Sequence, residues 1–251
     1  MEQGNNKLMY ENLLKQVFQV WINPELDRRK KENNIEQNFR LIRAQIIFSL
    51  GGPPEIRIND QVKAQIKVKI NRSVKKGEIL YERDVNEIQN IQLIDEEKDF
   101  GHITIILFKN YWVISFSFIY NSSRSTELIE LGDDFLNSAK KAHESRHFRS
   151  VIELLSIAAE NYAKARMYLL PDQEIRKSKT HGYLQTKVNL YSKTGNFFKS
   201  EFKDVFNKLL SIRDNARYNP KYSYESIEFE KFIKLIEDMR LEVLTWVNRT
   251  K

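Results

Sequence analysis

The apolar residues of this chain change period near residue 121, and that change constrains the fold more than any other feature. Before it they recur every second residue. In "VKAQIKVKI", residues 62–70, Val62, Ala64, Ile66, Val68 and Ile70 share one face, while Lys63, Gln65, Lys67 and Lys69 share the other. A period of two is the mark of a half-buried strand. "HITIILF" and "YWVISFSFIY" flank "KN", which predicts a hairpin, with Trp112, Ile114, Phe116, Phe118 and Tyr120 in line on one face of its second strand. "FRLIRAQIIFS" and "NEIQNIQLID" are two more strand candidates, and "PELDRRKKENN" reads as a short charged helix opened by Pro24.

After residue 121 the spacing becomes three and four. "NSSRST" offers Ser125 or Thr126 as a cap for the first helix, residues 126–145. The second, 148–170, stripes Val151, Leu154, Leu155, Ala158 and Tyr162. A third is capped by Thr180 and closed by Gly195. The fourth carries Phe198, Phe202, Val205, Leu209, Ile212 and Ala216, and the last Phe229, Phe232, Ile236, Met239, Val243 and Trp246. Each stripe needs a partner surface. The predicted class is therefore α+β, with a mixed, antiparallel-rich domain over residues 1–122 and an antiparallel helical bundle over 125–251.

Composition excludes several chemistries. The 251 residues contain no cysteine, which removes disulfides, thiolate-held zinc and a thiol nucleophile, and fits a reducing cytoplasm. No apolar run reaches the roughly 18 residues of a membrane span, and the first residues lack the basic start and apolar centre of a signal peptide, so a cytoplasmic protein with no membrane partner is expected. Net charge is +7, and residues 161–200 hold eight basic against two acidic side chains. That segment reads either as a solvated face or as a surface for phosphate. In the first half, Lys63, Lys67 and Lys69, with the run Arg28 to Lys31, read as a solvated face or as a surface for a protein partner or nucleic acid.

No phosphate-binding glycine loop or GxSxG occurs. His143 and His147 stand four apart on a predicted helix, a metal-ligand spacing, but they lie at its end, where imidazolium suits the helix dipole; neither a metal nor a cofactor is expected. His102 follows Gly101 and reads as a turn residue. His181 opens the third helix beside Lys179, within the basic segment.

The end of the fourth helix, "LLSIRDNARYNP", is the densest polar constellation. Ile212 and Ala216 continue the buried stripe, which puts Arg213 and Arg217 along its border, one turn apart. Two guanidiniums on one line can clamp a phosphate. Asp214 is placed to pair with Arg217, and Pro220 stops the helix just after Tyr218. Cations in a last turn also satisfy the helix dipole with no ligand at all.

Three stretches resemble the HEPN superfamily of helical nucleotide-binding domains. They are "SAKKAHESRHFRSVIELLSIAAENYAKARMYLL", "KTHGYLQTKVNLYSKTG" and "LLSIRDNARYNP", and the resemblance they carry covers roughly residues 125–251. The resemblance implies a dimer. In RNA-cleaving members, two copies of an arginine, a polar residue and a following histidine face each other and build a metal-independent ribonuclease site. Arg213 and Asp214 match the first two places, and Tyr218 stands where the histidine belongs. A phenol is a poor proton acceptor near neutrality, though it can stack on a base or donate a hydrogen bond.

Three readings follow. One is a non-catalytic RNA or nucleotide binder, dimeric and set in bacterial defence or a toxin–antitoxin pair, with contacts from Arg213, Arg217, Tyr218, His181 and Lys179. Another is an endoribonuclease with an altered site, Arg213, Asp214 and Tyr218 acting as its catalytic residues. The last is an interaction protein in which the arginine motif serves dimerisation.

Overall fold

The computed structural model describes residues 2–49, 51–171, 181–194, 197–225 and 227–248. They form two compact units, Met1–Phe118 and Ile119–Lys251.

In the first unit, helix α1 (Glu2–Val17) runs through a π-helical turn (Phe18–Ile22) into α2 (Asn23–Lys31), where Pro24 sits in the first turn. Strands β1 (Arg43–Phe48), β2 (Glu55–Ile58), β3 (Ala64–Ile70), β4 (Val85–Leu93), β5 (Gly101–Phe108) and β6 (Tyr111–Ser117) follow. They make a four-stranded antiparallel sheet in the order β2-β1-β5-β6, and a separate β3–β4 pair. Alternation places Ala44, Ile46, Ile58, Ile103 and Ile105 on one face of the larger sheet, against Val17 and Ile22 of the helices. The opposite face carries a polar row in register, Gln45, Thr104 and Ser115. The β3–β4 pair satisfies it. Gln45 Nε2 donates to the Lys63 carbonyl at 2.8 Å, and Ser115 Oγ to that of Ile91 at 2.8 Å.

Helix α1 was not foreseen from the sequence. Its apolar side chains fall on two faces: Leu13 and Leu14 pack on the core, while Leu8 and Met9 are exposed, so no single stripe marks it. The predicted line along β6 also breaks. Trp112 and Ile114 pack on the core, with Trp112 edge-on to Phe18 at 5.3 Å, but Phe116 and Phe118 are exposed and Tyr120 belongs to the second unit. The cause is that β6 is a sheet edge, where the covering helix residues give out beyond Ile114. His102 is not a turn residue. It lies buried within β5, with Nδ1 3.0 Å from Thr104 Oγ1, and burial pushes its pKa down to about 4.

The second unit is helical: α3 (Ser122–Glu144), α4 (Phe148–Tyr168), α5 (His181–Thr194), α6 (Ser200–Tyr218) and α7 (Phe229–Asn248). The first helix starts earlier than expected, after Asn121 in the left-handed region (φ 51°), and neither Ser125 nor Thr126 caps it. Instead the buried Ser125 Oγ crosses to the Ala165 carbonyl at 2.9 Å, and Thr126 bonds back to Ser122. The expected caps Thr180 and Gly195 lie outside the described residues. Helices α3 and α4 run antiparallel, and α4 is the centre of the bundle. Val151, Ile152, Leu155, Ala158, Ala159, Tyr162 and Ala163 are all fully buried, which makes α4 apolar nearly all round. Helices α6 and α7 lay Phe202, Leu209, Ile212, Ile236, Met239 and Val243 into the same core.

Candidate functional site

The site is built where the C-terminal end of α6 meets the first half of α4. Ile212 and Ala216 are buried, as their place in the stripe requires. Arg213, one step round, is only 9% exposed. A guanidinium so placed needs acceptors, and α4 supplies them. Arg213 Nε donates to Glu153 Oε2 at 3.1 Å, and Nη1 to Glu160 Oε1 at 3.3 Å. Arg217, a turn further on and nearer the surface, grips the same Glu153 through two bonds, Nε to Oε1 at 2.5 Å and Nη2 to Oε2 at 2.7 Å. The Glu153 hydrogen bond holds the Arg217 guanidinium more firmly protonated than usual. The expected Asp214–Arg217 pair does not form; Asp214 is exposed, and Glu153 offers both oxygens in the forked geometry that arginine prefers.

Helix α6 ends at Tyr218, with the Asn219 amide bonded to the Asn215 carbonyl, and Pro220 follows. Tyr218 is 78% exposed. Arg149, at the start of α4, reaches the Asn219 carbonyl at 3.5 Å, so a third cation lies at this end of the bundle. His181 opens α5, but its side chain, like Lys179, lies outside the described residues. The structure thus brings Arg213, Arg217 and Tyr218 to one helix end, and leaves Asp214 on the solvent side.

The two glutamates were missed by the sequence reading, yet they left a signal. Glu153 and Glu160 are the only acidic residues of α4, and seven residues make two turns, which puts both carboxylates on one face of an otherwise apolar helix. A buried cation and a half-buried carboxylate also brace the bundle. Arg166 lies between the rings of Phe197 and Trp246, at 4.0 and 4.1 Å. Asp133 on α3 accepts two bonds from Arg240 on α7, at 2.5 and 2.6 Å, and one from Tyr162 on α4 at 2.6 Å. Burial pushes the Asp133 carboxyl up, but these bonds more than reverse it and leave it below its ordinary value.

His143 and His147 do not share a helix face. Helix α3 stops at Glu144, and Arg146 in the left-handed region (φ 57°) turns the chain between them. No cluster of metal-ligating side chains occurs among the described residues. A cleft of about 780 Å³ beyond the motif is walled by His143, Phe148, Tyr224 and Phe229, but Glu225, Glu228 and Glu230 rim it with only Lys231 opposing. That rim repels phosphate, so an anionic ligand is better served at the arginines.

The helical bundle with its arginine-bearing helix end is the helical C-terminal domain expected from the sequence. Residues 125–249 match the family model of the HEPN domain, and the C-terminal half of this chain belongs to that family. The N-terminal half matches no family model. No curated protein and no solved structure matches the chain. No helix among the described residues is long and apolar enough to cross a membrane.

Proposed function

We propose that this protein is a HEPN-type binder of RNA or nucleotide that holds its ligand without cutting it, acts as a homodimer through the helical half, and serves in a bacterial defence or toxin–antitoxin setting. The observation that carries the reading is Tyr218. It occupies the position where cleaving members have a histidine, and it is 78% exposed at the helix end. Proton transfer to and from the ribose and the leaving oxygen needs a group that titrates near neutrality. A phenol supplies a stacking face and a hydrogen-bond donor instead. Beside it, Arg217 keeps Nη1 clear of Glu153, while Arg213 is spent on two glutamates and acts as frame. In this reading Arg217 and Tyr218 touch the ligand and Arg213 positions them.

Fluorescence anisotropy with a short single-stranded RNA at low and moderate salt tests it. Arg217→Ala is expected to weaken binding and flatten its salt dependence, and Tyr218→Ala to weaken it by roughly tenfold or more, as loss of one stacked base does. Both side chains reach solvent, so both variants fold. A double variant that binds RNA as the unaltered protein does would sink the proposal.

The burial of Arg213 favours a second reading, in which the motif is architectural and the dimer itself is its purpose. Removing Arg213 takes a charged hydrogen-bond donor from both Glu153 and the buried Glu160, so Arg213→Ala costs about 1–3 kcal/mol of stability. If the unaltered protein binds no RNA and Arg213→Ala turns the dimer into monomer, this second reading replaces the first.

A further inference from the structure

The chain between β3 and β4, residues 71–84, is exposed throughout except for Asp84, yet it is tied together from within. Arg72 bonds Glu78 at 2.6 Å and Asp84 at 3.0 Å. Asp84 also accepts the Tyr81 amide at 3.1 Å, and Glu78 accepts that of Lys75 at 3.1 Å. Asn71 closes the base, its side chain donating to the Arg83 carbonyl at 2.9 Å and its amide to that of Asp84 at 3.1 Å. Gly77 supplies the left-handed turn (φ 86°). A loop that only had to connect two strands of a hairpin would be shorter and looser.

What this bracing holds out is apolar. Ile79 is 69% and Tyr81 56% exposed, with Leu80 and Val74 also open to solvent. The charges around them are one-sided. Residues 63–85 contain seven cations and three acids. All three acids are engaged inside the unit: Glu78 and Asp84 by Arg72, and Glu82 by the Lys109 amide. Lys75 and Lys76 at the tip, and Lys67 and Lys69 on the outer face of β3, have no carboxylate partner among the described residues. Arg83 lies over the Tyr81 ring at 5.3 Å.

We propose that this tip docks on an anionic lipid surface. Aliphatic side chains gain by entering hydrocarbon and offer nothing to a phosphodiester backbone, which disfavours nucleic acid as the occupant. Unpaired lysines gain beside negative headgroups and would be left uncompensated in an apolar protein groove. Aliphatic tips and lysines on one braced loop match the two layers of a membrane interface, hydrocarbon beneath and anionic headgroups above. A peripheral contact of this kind needs no spanning helix.

Co-sedimentation of the whole protein with phosphatidylcholine vesicles, with and without phosphatidylglycerol, tests the proposal. Binding is expected only with the anionic lipid. It should fall roughly tenfold or more in Lys75→Glu/Lys76→Glu, the factor expected when two lysines near a charged surface are reversed, and likewise in Ile79→Ser/Leu80→Ser. All four residues are exposed, and unchanged thermal melting verifies the fold. Three results overturn it: no binding to either vesicle, binding equal in both double variants and the unaltered protein, or binding to RNA alone that the lysine variant loses and the Ile79→Ser/Leu80→Ser variant keeps.

Discussion

His102 shows at the residue scale how a buried group couples folding to pH. It stays neutral in β5 because burial penalises the imidazolium, and among the described residues only the Thr104 hydroxyl is there to receive it. The unfolded chain binds a proton near the ordinary histidine value of 6.5, while the folded chain resists until about 4. Stability is therefore complete above the unfolded value and falls as pH drops from about 6.5 toward 4, by up to about 1.4 kcal/mol per pH unit. Urea unfolding across this window should show that slope, and His102→Gln should flatten it; identical profiles for the two proteins would refute the assignment. The sequence did not disclose this histidine, because burial depends on what covers the far side of the strand, and one strand's pattern carries no record of its cover. The candidate site residues divide on the same line. Arg213, Arg217 and Tyr218 were legible from the α6 stripe and the proline after it. Their placement against Glu153 and Glu160 was not, since those carboxylates lie some sixty residues earlier on α4.

At the element scale the governing contact is the crossing of α3 and α4. Gly132 sits in mid-helix, where alanine would ordinarily be better by about 1 kcal/mol. Here a Cβ would lie 2.6 Å from Tyr162 Cε1. The ring has no easy retreat, being fully buried and bonded through its hydroxyl to Asp133. Overpacking thus outweighs propensity, and Gly132→Ala is expected to destabilise by about 1–3 kcal/mol in a thermal melt. A raised melting temperature would show that the ring can move. The three-four spacing announced α4, α6 and α7 because each has a stripe, with small corrections: Val247 rather than Trp246 ends the buried line of α7, and Trp246 covers Arg166 instead. Spacing could not announce α1, whose apolar residues serve two faces, nor the break along β6, which comes from its place at the sheet edge.

At the scale of the whole molecule, the change of period near residue 121 corresponds to two structural units, each with its own core. We expect them to behave as two domains, 1–122 and 125–251. Scanning calorimetry should then resolve two transitions. Leu155→Ala, which empties a fully buried site at the centre of the bundle, should lower the helical one by the equivalent of about 2–5 kcal/mol and leave the other in place. A single transition that moves as a whole would mean the units unfold together.

The double grip of Arg217 on Glu153 has a consequence for ligands. A carboxylate held by two parallel bonds is chemically a tethered stand-in for phosphate. The site is therefore occupied by the chain itself, at an effective concentration that a dissolved anion must outcompete. Strength of attraction alone does not decide what enters. In the proposed binding role, selection falls to whatever a ligand adds beyond its charge, such as a ring to lie on the exposed Tyr218.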